Sequence, residues 1–354
     1  MKKVAVIAGA RPNFMKIAPL TRAFRAARVE FFVVNTSQHF DANMSKDFFR
    51  EFRIYPRYTL KPVVASPVRH MSHIMNGLED VYMKERPDLV VVVGDVNSTL
   101  YGALAALKMN IPIAHVEAGL RSHNYLMPEE INRVLVDNIS DLLFVTENDA
   151  LVNLRKEGIT DGVHVVGNIM IDTLSEFIDK TGKSRERFYF CTLHRAENVD
   201  NRKVFGEILE ALEIIAKDAT IYLPLHPRTK KMAEQFGFID KMKNIFSLMP
   251  PLGYSDTVYY EKNAKLILTD SGGVQEEASF LGTPCLTLRT ETERPITVKR
   301  GTNVIAGITR RSILAAYKKV HFDKKKHKIP LWDGRTSTRV ANIIKLFLDK
   351  TTGH

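Results

Sequence analysis

Short runs of aliphatic and β-branched residues alternate with amphipathic stretches of helical period through most of this chain, and that alternation constrains the fold more than any other feature. Residues 4–7, 30–35, 89–93, 111–116 and 142–145 read as buried strands. Residues 12–26, 71–84, 98–109 and 128–139 read as the helices between them. The rhythm restarts after a polar break at 179–187. Strands are expected there at 188–192, 220–223, 244–248, 265–269 and 285–288, with helices at 203–216, 229–236, 257–263 and 274–281. Strands spaced by helices form parallel sheets through right-handed crossovers. Two such runs predict an α/β chain of two doubly wound, Rossmann-like domains. A length of 354 residues agrees, at roughly 150 residues per domain. A last helix near 338–348 follows the second set and is free to pack on either domain.

Composition narrows the class. Hydrophobic residues at 45% and charged residues at 26% argue against a long disordered chain. No apolar run approaches the roughly 18 residues of a membrane span. The start, Met1-Lys2-Lys3-Val4-Ala5-Val6-Ile7, meets Arg11 and Lys16 too soon for a secretory core and reads as a first strand. Cys191 and Cys285, each in an apolar segment, make neither a disulfide framework nor a CxxC metal pattern, so a reducing cytoplasm is expected. The net charge of +11 raises nucleic acid as a partner. Much of the excess is local, in Lys318, Lys319, Lys324, Lys325, Lys326 and Lys328 around His321 and His327. No RNP, helix-turn-helix or zinc-finger pattern accompanies it, so it reads as a solvated basic face, without nucleic acid or membrane as partner. Acidic small molecules fit, because electrostatic steering acts on any phosphate.

In doubly wound sheets the ligand sits outside the carboxyl ends of the strands. Unusual polar residues cluster at those ends here. After the first strand, Gly9-Ala10-Arg11-Pro12 leads toward Lys16 at a helix N-terminus, a natural anion site, though a solvent-facing pair of charges is an equal reading. Neither a Walker A loop nor GxGxxG is present. After the third, Gly94-Asp95-Val96-Asn97-Ser98-Thr99 offers Asp95, with Asn97 or Ser98 as a helix cap. Glu117 closes a buried strand, an expensive place for a carboxylate without a partner. Glu129 follows Pro128 in the first turn of a helix, where its charge suits the terminus. Asp95, Glu117 and Glu129 together make a candidate acid/base group.

The second half supplies phosphate chemistry. His194 with Arg195, and His226 with Arg228, end successive strands and suggest a phosphate-lined cleft. No HxH or HxxxH spacing makes them a metal site. The strand 265–269 runs into Asp270-Ser271-Gly272-Gly273 and then a helix, so small residues let backbone N–H groups approach a diphosphate. The plainer reading makes Ser271 a helix cap. Glu277, one turn on, is placed to accept ribose hydroxyls, and Arg294 to add charge-assisted bonds to phosphate.

With these residues in view, the chain resembles the non-hydrolysing UDP-N-acetylglucosamine 2-epimerases. The likeness spans essentially the whole chain, through GDVNST at 94–99, HVEAGLRS at 115–122, PEEINR at 128–133, VGNIMID at 166–172, LHRAEN at 193–198, TDSGGVQEE at 269–277 and TERP at 292–295. It implies a glycosyltransferase-B-like fold with the active site in the interdomain cleft. Residues 1–168 with the terminal helix 338–354 would form the sugar-side domain, and 169–337 the UDP-binding domain. It further implies that UDP leaves C1 as C2 loses its proton, giving a 2-acetamidoglucal, and then adds back. By the resemblance, Asp95, Glu117, Glu129 and His194 are catalytic; Arg11, Lys16, His226, Ser271, Gly272, Gly273, Glu277 and Arg294 bind substrate. It implies a UDP-sugar as ligand, no cofactor or metal, and a homodimer. Departures exist. Ala10 and Asn13 stand where many members have threonine and glutamate, and Asp41 and His73, beside the matching Gln38 and His39, where an activating-substrate site has glutamine and arginine. A hydrolysing relative shares most of these motifs, and a 2-epimerase of a UDP-2,3-diacetamido uronic acid is also compatible with them.

Overall fold

Strands buried on both faces need near-continuous apolar runs, and the first sheet is built from them. Its strands are β1 (Lys3–Ala8), β2 (Glu30–Asn35), β3 (Tyr58–Thr59), β4 (Leu89–Val93), β5 (Ile113–Ala118), β6 (Leu142–Val145) and β7 (Val163–Val165). They pair in the order β3-β2-β1-β4-β5-β6-β7, all parallel. Every residue of β4 and β5 is buried. The second sheet holds β8 (Phe188–Thr192), β9 (Thr220–Pro224), β10 (Phe246–Met249), β11 (Leu266–Thr269), β12 (Cys285–Thr287) and β13 (Asn303–Ile305). Its order, β10-β9-β8-β11-β12-β13, repeats the first sheet's plan, again all parallel. This computed structural model describes residues 2–9, 11–37, 49–323 and 328–350, apart from the side chains of residues 11 and 12.

The chain divides into two compact units, Met1–Thr173 with Pro330–His354, and Leu174–Ile329. Each is doubly wound and together they are the α/β, glycosyltransferase-B-like architecture. In each sheet the strand order reverses beside its first strand, between β1 and β4 and between β8 and β11. Such switch points leave an opening at the strands' carboxyl ends, where ligands bind in sheets of this kind.

The contact boundary falls inside the helix Ile169–Ile178, whose first residue is the expected start of the second domain. The return to the first unit begins at Pro330, ahead of the last helix, Thr336–Lys350. Asp172 explains why. Its carboxylate accepts from the N–H groups of Thr336 (3.0 Å) and Ser337 (2.7 Å) and the Ser337 hydroxyl (2.6 Å), tying that helix start to the first unit. Val340, Ile344 and Leu348 are buried, and the helix packs on Arg11–Ala27.

Most expected elements recur within a residue or two. Three strands were not expected: β3, β7 and β13 have two or three residues, too short to show a period. The strand expected from 244 begins at Phe246, because residues 244 and 245 complete the helix Ile239–Ile245.

Candidate active site

In the first unit, Lys16 and Glu117 meet. The Lys16 ammonium lies 2.6 Å from Glu117 Oε2, with both side chains buried. The backbone of Glu117 takes φ +76°, and the β5–β6 register slips between Val116 and Ala118, so Glu117 is the extra residue of a bulge. A non-glycine residue in that region costs about 1–3 kcal/mol, and such strain concentrates at functional positions. Gly94, at the end of β4, has φ +68°, and a Cβ there would stand 3.0 Å from Lys16 Nζ. Glycine at 94 thus gives the ammonium room. Asn13 fixes the same corner, accepting from Gly9 N–H (3.2 Å) and donating to Val93 O (2.7 Å).

Asp95 is a quarter exposed and accepts from Arg133 Nη2 at 2.5 Å. Arg133 also donates to Glu130 Oε2 (2.8 Å), and Glu130 accepts from the N–H groups of Ser122 and His123. Glu130 is therefore the buried anchor of the loop after β5, while Glu129 stands exposed on the first turn of the helix Pro128–Asn138. Asn97 and Ser98 do not cap the helix Asn97–Lys108, whose N-cap is Val96; Ser98 instead meets the Thr36 hydroxyl at 2.6 Å. Behind the bulge, the fully buried Asp137 bonds His115 Nδ1 (2.7 Å), Gly119 N–H (3.0 Å) and Arg121 (2.7 Å). Burial pushes its carboxyl up, but His115 and Arg121 more than offset that and hold it below the usual range.

In the second unit, His194 and His226 lie together, their ring centres 5.4 Å apart. Asp270, fully buried after β11, is 3.1 Å from His194 Nδ1 and accepts from the N–H groups of His194 and Arg195, each at 2.9 Å. Burial works against its charge; the imidazole and the two N–H groups outweigh it, so the carboxyl sits below its ordinary range. Ser271 is the N-cap residue of the helix Gly272–Leu281, yet its side chain makes no capping bond. A Cβ on Gly273 would meet nothing closer than Ser271 Oγ at 4.0 Å, so the helix start is open there. Gly272 is small for another reason: its Cβ would stand 2.7 Å from Glu293 Oε1. Glu293 is held well below the carboxylate range, burial being overcome by Arg289, Arg195 and Arg294. Arg294 is buried with its Nε 2.8 Å from Glu276 Oε1. Glu277 is buried, accepts from the Tyr254 hydroxyl (2.6 Å) and is pushed up to about 7 by burial.

Asp270, Glu130, Arg133 and Glu276 were not singled out from sequence. Asp270 carried the signal that marked Glu117, a carboxylate closing a buried strand; the others depend on which helix face turns inward. Arg11 opens the helix Arg11–Ala27, its side chain outside the described residues, as are Gln38, His39, Asp41 and Lys324 to His327. His73 Nε2 donates to the Lys61 carbonyl oxygen at 2.8 Å, since a carbonyl can only accept. Among the described residues no metal-holding cluster of His, Cys, Asp or Glu occurs, and no helix is long and apolar enough to cross a membrane.

A sequence model of the family described as UDP-N-acetylglucosamine 2-epimerase matches residues 22–345. A UDP-N-acetylglucosamine 2-epimerase of Methanococcus maripaludis is 40% identical over 363 residues, covering 97% of this chain and 98% of the relative. The UDP-2,3-diacetamido-2,3-dideoxy-D-glucuronate 2-epimerase of Pseudomonas aeruginosa is 42% identical over 323 residues, 88% of this chain and 90% of its own. The crystal structure of the Methanocaldococcus jannaschii UDP-GlcNAc 2-epimerase in complex with UDP-GlcNAc and UDP superposes with a TM-score of 0.90 at 40% identity, covering 97% and 99% of the two chains. With two doubly wound units, polar groups at both switch points and these likenesses over nearly its full length, the chain belongs to the UDP-N-acetylglucosamine 2-epimerase family.

Proposed function

We propose that this enzyme reversibly inverts C2 of UDP-N-acetylglucosamine, giving UDP-N-acetylmannosamine, without net hydrolysis. The hydrogen at C2 is adjacent to no carbonyl and is not acidic, so direct exchange of that proton is too slow to serve. In the proposed route the C1–O bond breaks as a base takes the C2 proton. The electrons of the C–H bond form C1=C2, UDP departs with those of the C–O bond, and 2-acetamidoglucal results. Return of UDP to C1 with a proton delivered to the other face of C2 completes the inversion.

In this reading Asp95, Glu117 and Glu129 are the proton-transferring candidates. The strained bulge that presents Glu117 against Lys16 is the observation that carries it. His194, oriented by Asp270, serves the departing diphosphate, with His226 beside it. Ser271, Gly272 and Gly273 receive the diphosphate at a helix start, Glu277 the ribose, and Arg11, Lys16 and Arg294 the remaining charge. The same proposal makes the enzyme a cytoplasmic homodimer supplying polysaccharide biosynthesis, with no cofactor. Sedimentation of the pure protein checks the dimer.

Incubation with UDP-N-acetylglucosamine in D₂O tests the chemistry. Deuterium at C2 of intact UDP-sugars is expected. Accumulation of free UDP and N-acetylmannosamine instead would mean hydrolysis. The Pseudomonas aeruginosa relative favours a second substrate, a UDP-2,3-diacetamido uronic acid. Exchange with that sugar and none with UDP-N-acetylglucosamine would replace the first reading by the second.

A further inference from the structure

Glu261 has no part in the chemistry above, and its surroundings are unusual for a carboxyl group. It lies on the helix Tyr254–Asn263, which packs against the helix Gly272–Leu281, and it is wholly buried. Neither of its oxygens receives an N–H or O–H from another group among the described residues, and no cation pairs with it there. What faces it within hydrogen-bonding reach is the carboxyl of Glu277.

The other polar groups around the pair are committed or uncharged. From the same helix, the Tyr254 hydroxyl donates to Glu277 Oε1 at 2.6 Å. Thr283 gives its hydroxyl to the Glu261 main-chain oxygen (3.0 Å). The Cys285 thiol of β12 is buried and pushed up, mainly by burial, so it is neutral. Lys262, next in sequence, directs its ammonium to the carbonyls of Ile178 (2.8 Å) and Thr181 (2.9 Å). Two buried carboxylates in contact with no cation between them cannot both ionise, and the pair must keep a proton. Glu277 already receives the Tyr254 hydroxyl, whereas neither oxygen of Glu261 has a donor among the described residues, so a charge is costlier on Glu261 and the proton belongs there; burial and the neighbouring charge of Glu277 drive Glu261 the same way, well above its ordinary range.

We propose that Glu261 is a positioning residue for the nucleotide: as a neutral acid it donates to Glu277 and, with Tyr254, holds that carboxylate as a fixed acceptor for a vicinal ribose diol. This rests on the reading of Glu277 as the ribose contact. An ionised carboxylate has about four acceptor positions. Two donors from within the fold set its plane and leave others for two hydroxyl groups. A protonated Glu277 would compete for those positions with its own O–H. Once Glu277 has lost its own proton, near pH 7, Glu261 carries the one that remains and keeps Glu277 in the accepting form.

The test is calorimetric binding of UDP and of 2′,3′-dideoxy-UDP, which lacks both hydroxyls, to the full chain from pH 6 to pH 9. Wild type, Glu261→Gln and Glu261→Met are compared. Wild type is expected to prefer UDP. Glu261→Met, of similar volume without a donor, should weaken UDP by about tenfold at pH 7 and leave the dideoxy nucleotide unchanged, since one charge-assisted hydrogen bond is lost. Glu261→Gln keeps an N–H donor that cannot ionise. It should restore UDP binding to within about threefold of wild type and abolish the loss of UDP affinity expected of wild type at alkaline pH as the pair's last proton leaves.

A folded Glu261→Met protein that still prefers UDP as wild type does would overturn the proposal while leaving the Glu277 assignment standing. Should that variant not fold, the glutamine variant decides, and a pH profile identical to wild type overturns the idea. Wild type that binds both nucleotides equally would remove the ribose role of Glu277 and this proposal with it. Wild type that binds neither would sink the functional reading as a whole.

Discussion

Glu117 combines three features that a purely structural residue has little reason to share: a buried carboxylate, a buried ammonium 2.6 Å away, and a left-handed backbone at a sheet bulge. If it moves a proton in the reaction, Glu117→Gln should lower turnover by about 10²–10⁴ with the fold retained. Deuterium incorporation at C2 and circular dichroism measure the two sides of that statement, and near-normal turnover would remove Glu117 from the mechanism. Much at this scale was legible, because carboxylates and histidines at the ends of buried strands are conspicuous in a string of aliphatic residues. What was not legible is which of two adjacent acids turns inward. Glu129 and Glu130 are alike in chemistry and differ by one step around a helix, and only Glu130 finds Arg133 and two backbone N–H groups.

At the scale of an element, the start of the helix Gly272–Leu281 separates packing from binding. A methyl group at 272 would run into Glu293, whose carboxylate is held in place by Arg289 at 2.6 Å. Gly272→Ala should therefore destabilise by about 1–3 kcal/mol, and weaken UDP along with it. At 273 the space is open. Gly273→Ala should leave stability within about 0.5 kcal/mol of wild type, yet obstruct the approach of a diphosphate to the backbone. Thermal melts and UDP titrations of the two variants check the contrast. Unimpaired UDP binding by Gly273→Ala would move the diphosphate elsewhere. The strand–turn–helix was readable because glycine after a buried strand has few uses; the use of Gly272 was not, since Glu293 reaches it from another loop.

For the whole molecule, buried carboxyl groups shape stability on both sides of neutrality. Asp137, Asp270 and Glu293 are held below their ordinary range. The unfolded chain takes up those protons first as pH falls, so their contribution is complete above about pH 5 and is lost progressively below it. Glu261 and Glu277 run the other way, raised from 4.5, with Glu277 at about 7. The native state keeps a proton that the unfolded chain releases, so this contribution is complete below about pH 4.5 and declines as pH rises through 7. Scanning calorimetry should find the melting midpoint of the unit holding the pair lower at pH 8.5 than at pH 5.5 by about 3 °C or more. Glu261→Met should flatten that alkaline limb; an unchanged slope in the variant would show that the pair does not hold the proton. The terminal helix offers a second check. Truncation after Ile329 removes Trp332, Val340, Ile344 and Leu348 from the first unit's core, at about 1.5–3 kcal/mol for each large apolar side chain. The first unit's unfolding transition should then be lost, while the second unit's remains.

Hydrophobic period and strand-end chemistry are properties of neighbouring residues, so the sequence by itself determined two doubly wound units and the strand ends at which polar groups gather. The motifs pointed to the family by the same local means. Pairings between distant segments were decided only in the folded chain: Lys16 with Glu117, Arg133 with Asp95, Asp172 with the start of the last helix, Glu261 with Glu277. The reason is physical. A charge is placed by its residue type, but whether it is paired, exposed or made to hold its proton depends on what the packing of separate helices and strands brings against it.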